Sequence, residues 1–423
     1  MNIHLTAFAA LLAALSFSSA AYAQEDSLER ALAQYNSGLT APMASAGVSV
    51  TGDARVRNVM ASFDNIVDVD VRTRLNFDFN INDHAQAFIQ FTGNSNWGSK
   101  LTLDPLTDTN STFNGADNNN NGELSQVWVE TVNALGDGGT ARIGASYYTF
   151  GSGRLLGTDE WDGHPQGFEG VWYSNEHDGF ALEGFYMSMV EGGVFGSDID
   201  LIGLTVDYSY ELSNSNELHI SPYWLRQSGN MTPQSGNMTP VWSDASHDDW
   251  RGLGLNGLFL GFDCDLEMAW YEAYGADSAM AWAFDTAFDL EILEEVGLGS
   301  LVTIAFSDTE DGFEVITSSS TGRTINQRHN AAGLSDTMTG GLWGSGKAST
   351  MSLGFTFTPL DGYNGGISMH DITMGGVDYS EFDITLETTL GGGLKAMGGL
   401  SMVDRDGSSE LDETIYAVLS MDF

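Results

Sequence analysis

Cysteine is almost absent from this sequence, proline is sparse and basic residues are few. The single cysteine, Cys264, can neither close an internal disulfide nor build a thiolate zinc site. It reads as a small packed or lipid-facing apolar residue. Fifteen Lys and Arg against 58 Asp and Glu leave a formal charge of −43. Such a surface repels a phosphate backbone, which excludes a nucleic-acid partner. Beyond the first residues no segment offers a run of apolar residues long enough for a transmembrane helix, which takes about 20. A chain of this kind can enter a membrane only as a closed barrel, because lipid tolerates no unpaired backbone. No Ser/His/Asp order, His-based zinc motif or phosphate loop stands out, so an enzyme is not expected. The acid-rich group Asp159, Glu160, Asp162 and His164 reads as a solvated loop.

What is present begins with a processing signal. Leu5 to Leu15 is an apolar run, and Ala21-Tyr22-Ala23 is a small-x-small cleavage site. We therefore expect a signal peptide over 1–23, a periplasmic N-terminal segment over 24–46 and one barrel over 47–423, with no linker or composition shift inside it. Fifty-one Gly beside only seven Pro, with abundant aromatics, suit many tightly turned strands.

The strand pattern alternates with a period of two. Val48, Val50, Ala54 and Val56 share one face of their segment, and Asp53, Arg55 and Arg57 the other. Val69, Val71, Leu75, Phe77, Phe79 and Ile81 oppose Arg72, Arg74, Asn76, Asp78 and Asn80. Ile202 to Tyr210 and Met351 to Phe357 repeat the idea. Eighteen such segments can be counted, with sixteen as the alternative if the tight turn near Gly261 fails. Pro222 falls inside one of them and must cost a ladder bond unless it sits at a bulge. The connections after odd segments include the long ones, near 98–122, 149–166, 229–246 and 310–347, while those after even segments are short. This parity is that of an all-β, transmembrane, antiparallel up-and-down barrel with short periplasmic turns and long extracellular loops. One long loop carries a tandem duplication, Gln227 to Pro233 and Gln234 to Pro240, as an exposed and unconstrained loop tolerates.

Two further motifs carry expectations. Asp117-Asn118-Asn119-Asn120-Asn121-Gly122 matches the first half of a calcium loop, with Asp117, Asn119 and Asn121 as ligands for a structural Ca²⁺. The closing Glu is missing, since Trp128 occupies the twelfth position, and an Asn-rich loop is the competing reading. No other cofactor is expected. Ile415, Ala417, Leu419 and Met421 alternate to a terminal Phe423, which resembles the C-terminal signal read by the barrel assembly machinery. The other expected partners are outer-membrane lipid and lipopolysaccharide.

One stretch is more specific. Arg142-Ile143-Gly144, then Phe150-Gly151-Ser152-Gly153-Arg154-Leu155-Leu156-Gly157, Trp161 and Gly167-Phe168-Glu169-Gly170-Val171, resembles the alginate-export family of outer-membrane porins. Arg72-Thr73-Arg74-Leu75, Phe88-Ile89-Gln90-Phe91, Asn96-Trp97-Gly98 and Leu124 to Val129 resemble its early strands, so the resemblance runs from Arg55 to Tyr173. It implies an eighteen-stranded monomeric barrel that passes an anionic polysaccharide through an arginine-lined lumen.

Strand parity then sorts the charges. Arg55, Arg57, Arg72, Arg74 and Arg142 are expected to point inward, and so are the acids Asp263, Asp265, Glu267, Asp285, Asp289, Asp383 and Glu387. Such opposed basic and acidic walls would set selectivity by fixed charge. Arg154, in the family's Arg-Leu-x-Gly loop, is expected to fold inward toward Glu169. The function expected is a channel passing or exporting saccharides or small polar solutes. A general diffusion porin, a surface adhesin or barrel enzyme built on the long loops, and a soluble periplasmic β protein are the alternatives.

Overall fold

In the computed structural model, the described residues are 47–61, 66–96, 122–134, 138–158, 167–190, 199–213, 216–228, 247–259, 262–273, 277–290, 300–318, 323–324, 347–360, 362–406, 408 and 411–423. The expected signal peptide, the segment 24–46, the calcium-loop residues Asp117, Asn119 and Asn121, the 159–164 acid group and the duplicated stretch beyond Ser228 all lie outside them.

Eighteen strands form one sheet that closes on itself. They are β1 (Gly47–Ala61), β2 (Ile66–Asn82), β3 (Ala85–Asn96), β4 (Gly122–Val132), β5 (Gly139–Tyr147), β6 (Gly167–His177), β7 (Phe180–Val190), β8 (Ile199–Ser213), β9 (Asn216–Ser228), β10 (His247–Phe259), β11 (Phe262–Ala273), β12 (Ala279–Asp289) and β13 (Ser300–Thr309). After a two-residue ladder, β14 (Thr317–Ser318) with β15 (Arg323–Thr324), they continue as β16 (Ala348–Leu360), β17 (Tyr363–Met374), β18 (Val377–Thr389), β19 (Leu394–Arg405) and β20 (Asp412–Asp422). Each barrel strand pairs antiparallel with its neighbours, and β20 pairs with β1. Gly52 and Phe423 complete the seam by exchanging two backbone hydrogen bonds, 2.8 and 2.9 Å. With no open edge, the sheet satisfies the condition lipid imposes on a spanning chain. The count is eighteen, not sixteen, and among the described residues the one other sheet is the two-residue ladder β14–β15, not the second layer a soluble sandwich would require.

Alternation decides which side chains meet lipid. Val50, Leu75, Val129, Ile143, Leu204 and Leu419 stand exposed on the outer face, while their sequence neighbours point into the lumen. Outward aromatics sit near both rims, as the girdles of such barrels do: Phe180 with Tyr208 and Phe262 with Phe288 at the short-turn rim, Trp224 and Trp270 toward the long-loop rim. Asp178 and Gly179, both at positive φ, make the two-residue turn between β6 and β7, a geometry that matches strand twist. Pro222 faces outward in β9, and no bulge absorbs it. The β8–β9 ladder resumes in unchanged register on either side, Thr205 opposite Tyr223 and Tyr208 opposite Ile220.

Two long-loop connections turn into the barrel rather than away from it. After β5, residues 148–158 fold inward, burying Phe150, Leu155 and Leu156. After β13, Phe313, Val315 and Ile316 do the same. Both pack on inward apolar side chains of β6–β12, including Phe185, Leu225, Trp250 and Tyr271. The 310–347 connection was expected to be a surface loop. Its described start, through Ser318, is instead a lumenal element, held where Trp250 Nε1 donates to the Glu314 carbonyl at 2.8 Å.

Candidate functional site: the charged lumen

The inward face of β1 and β2 carries three consecutive cross-strand pairs: Asp53 with Arg74, Arg55 with Arg72, and Arg57 with Asp70. The middle pair sets two like charges opposite one another, which alone is destabilising. The flanking pairs relieve it. Arg74 Nε donates to Asp53 at 2.6 Å and Arg57 Nε to Asp70 at 2.5 Å. Arg72 lies 3.7 Å from Asp53, and Arg55 3.6 Å from Asp70. Within the ladder, four guanidiniums stand around two carboxylates, Asp53 and Asp70. Arg55, Arg57 and Arg72 are buried in this wall, where weaker screening gives charge a longer reach than at an open surface. Arg142 also points inward, as expected, but its hydrogen bonds go to Glu130, 2.7 and 3.0 Å, and it lies 4.1 Å over the Trp128 ring.

The acidic wall stands on β11 and β12, roughly half the strand order away from β1. Asp263, Asp265, Glu267, Asp285 and Asp289 all fall on inward positions of the register. They are not left facing the basic wall alone. Arg154 reaches across from the β5–β6 loop and bonds Asp285 and Glu267, with Asp265 at 4.0 Å. Ser152 donates to Glu267 as well, and the Tyr223 hydroxyl donates to its other oxygen at 2.9 Å. Burial works against the Arg154 charge, but Asp285, Glu267 and Asp265 outweigh it and hold the guanidinium charged above its ordinary range.

The expected Arg154–Glu169 approach is therefore corrected. On β6, Phe168, Gly170 and Trp172 point inward, opposite Ser146, Gly144 and Arg142. Glu169 takes the other parity, opposite Ala145, and stands exposed on the outer face. It does not line the lumen. The opposed-wall expectation changes in degree, since Arg154 offsets part of the acidic patch.

The loop is shaped to deliver that arginine. Phe150 and Leu156 bridge each other, Gly153 N donates to the Phe150 carbonyl at 2.9 Å, and Gly151 and Gly153 take positive φ. Tyr148 N donates to Thr158 Oγ1 at 3.1 Å, closing the loop at its base. Leu155 and Leu156 sink into the apolar wall and leave Arg154 at the polar tip.

Asp383 lies inward on β18 beside a cluster the sequence reading missed. His370 Nε2 is 3.4 Å from Asp383, Ser352 Oγ and His370 Nδ1 are 2.7 Å apart, and Ser401 donates to Glu381 at 2.9 Å. The signal was available in the alternation of β16–β19, but only the register shows which polar residues meet. Glu387 is inward on the same strand. The described residues hold no group of three or more His, Cys, Asp or Glu arranged for a metal ion.

Comparison with known proteins follows the same lines. A family model described as "Alginate export" matches residues 56–292. That span runs from β1 through β12, well beyond the residues whose motifs carry the resemblance. No curated protein sequence matches. Among solved structures, Pseudomonas aeruginosa OccK3 (OpdO) superposes with a TM-score of 0.58 at 14% identity, covering 89% of this chain and 95% of that one. P. aeruginosa OpdK with vanillate gives 0.58 at 14% identity, covering 89% and 98%. P. aeruginosa OprD gives 0.55 at 10% identity, covering 90% and 97%. At such identities the likeness is one of fold.

Proposed function

Because the chain belongs to the alginate export family and forms an eighteen-stranded outer-membrane channel for small solutes, we propose that its preferred solutes are anionic saccharides, recognised by the arginine ladder of β1 and β2. The observation that carries this reading is the bracketed arginine pair. A wall that gathers four of the chain's fifteen Lys and Arg on two adjacent strands, in a chain of net charge −43, concentrates basic groups against the general field of the molecule. Carboxylates or sulfates on a sugar match guanidinium geometry bidentately, and fixed charge in a narrow lumen discriminates ions. The two inward-folded loops favour a selective channel over open diffusion, because they narrow the lumen on the wall facing the ladder. The channel reading also leaves the described part of the 310–347 connection unavailable for adhesion.

The test is planar-bilayer current through the purified chain with oligosaccharides of matched length, uronate-bearing or neutral. Concentration-dependent block by the charged series alone supports the proposal. Equal passage of both, with no block, assigns the chain to simple diffusion.

A further inference from the structure

On the outer face, a charge at mid-bilayer costs about 2–4 kcal/mol and near the interface about 0–1. Outward Lys or Arg is correspondingly scarce here. Among the described residues of the barrel strands, the outward positions hold two, Arg226 and Arg251, and they are neighbours near the long-loop rim. The register builds two short rows. Trp224, Arg251 and Trp270 lie side by side across β9, β10 and β11, and Arg226, Asp249 and Glu272 form the row nearer the rim.

The two arginines are held differently. Asp249 is buried and fully engaged: Arg226 Nε and Nη2 each donate to it at 2.9 Å, Trp224 Nε1 donates at 2.9 Å, and His247 Nε2 lies 3.5 Å away. Arg226 also sits 5.3 Å from the Trp224 ring centre. This grip fixes Arg226 through Nε and Nη2 and does not use Nη1. Arg251 makes one loose contact, 3.5 Å to Glu272, and both side chains are more than half exposed. In its row Arg251 lies between two tryptophans, the residue type that settles at the headgroup level of a bilayer.

We propose that this patch is a docking site for a phosphorylated lipid headgroup of the outer leaflet, with the phosphate on Arg251 and the Nη1 edge of Arg226 and the indoles against the sugar–acyl boundary. Charge complementarity selects the occupant. Guanidinium binds phosphate through parallel N–H donors, and Asp249 offers little opposing charge because its partners neutralise it. Glu272 is the competitor, exposed and able to turn away. The site lies on the lipid face and does not depend on the solute proposed for the lumen.

The full chain is reconstituted in phosphatidylcholine nanodiscs containing bisphosphorylated lipid A, and retained lipid A is measured by native mass spectrometry. Arg251→Gln is expected to weaken retention about tenfold, the scale of one charge-assisted hydrogen-bonding partner. The paired variant Arg226→Gln/Asp249→Asn, which leaves no orphaned charge, is expected to weaken it as well. Glu272→Gln is expected to strengthen it. Dephosphorylated lipid A should not be retained, and millimolar inorganic phosphate should not displace the lipid. Undiminished retention by Arg251→Gln, or equal retention of dephosphorylated lipid A, overturns the site. Displacement by inorganic phosphate alone would assign a free-anion site instead and overturn the lipid. Single-channel conductance and saccharide block should match wild type in all these variants, so this result and the lumen result fail independently.

Discussion

Arg55 and Arg72 stand directly opposite each other across β1 and β2, on the inward face, with an Asp–Arg pair on either side. Apposed guanidiniums repel, and a barrel has simpler ways to fill a lumen wall. The arrangement is held because Asp53 and Asp70 each serve two arginines. The carboxylates fix the geometry of the four guanidiniums along this wall.

Removing the central pair should change selectivity while sparing the fold. At ~8 Å in water one charge contributes about 0.5 kcal/mol, so two contribute about 1 kcal/mol. Arg55→Ala/Arg72→Ala leaves Arg74 with Asp53 and Arg57 with Asp70. The anion-to-cation permeability ratio is expected to fall about fivefold, read as a reversal potential under a salt gradient. An unchanged ratio would remove the ladder from the selectivity filter.

Removing a carboxylate should act on stability instead. Asp70 holds Arg57, which is 2% exposed, and stripping one partner from a buried pair costs about 3–5 kcal/mol. Asp70→Ala is expected to destabilise the barrel on that scale in urea unfolding from lipid vesicles. Asp70→Asn/Arg57→Gln should recover most of the loss, since neither charge remains. A single-variant loss below about 1 kcal/mol would mean water reaches the pair freely, as at surface ion pairs.

The barrel itself was legible because alternation, turn length and loop parity are local or nearly so. The eighteen alternating segments counted in the sequence match the eighteen strands of the sheet. The inward arginines followed from the same parity. Arg154 shows where such reading stops. Its partners lie more than a hundred residues away, on β11 and β12, and which strand a loop tip reaches depends on closure of the whole sheet. Glu169 was expected to receive Arg154, yet it shares no parity with the inward Phe168 and Trp172 and so stands outside the lumen. The inward course of Phe313, Val315 and Ile316 had a weaker signal, three apolar residues within a loop otherwise rich in polar ones.

Freeing the loop should change the current. Arg154→Ala removes the contact to Glu267 and Asp285 and leaves both carboxylates facing the lumen without that partner. Larger single-channel conductance and more open-state noise are expected. The pH dependence has a definite sign. A cation whose folded pKa is raised contributes its full stability below the unfolded value and loses it only as pH rises through the folded one. For Arg154 the folded value is raised above an already strongly basic guanidinium range, so wild-type noise should stay flat from about pH 7 to about pH 10. An alkaline rise in noise within that window would place control of the loop elsewhere.

The same loop can be loosened without touching a charge. Gly252 on β10 lies opposite Tyr223, and a Cβ at Gly252 would overlap the Tyr223 ring. That ring meets Phe150 edge-on, with centres 5.3 Å apart, and its hydroxyl holds Glu267 at 2.9 Å. Gly252→Val must push the ring aside, which breaks the aromatic contact and takes one donor from the acid that Arg154 binds. Overpacking of this kind costs about 1–3 kcal/mol, well short of unfolding a closed barrel. The variant is therefore expected to reproduce the noise of Arg154→Ala while keeping wild-type ion selectivity, since no charge has changed. If Gly252→Val is quiet while Arg154→Ala is noisy, the loop is held by charge alone. If both are quiet, the apolar seat of Leu155 and Leu156 holds it, and the ion contacts only tune its position.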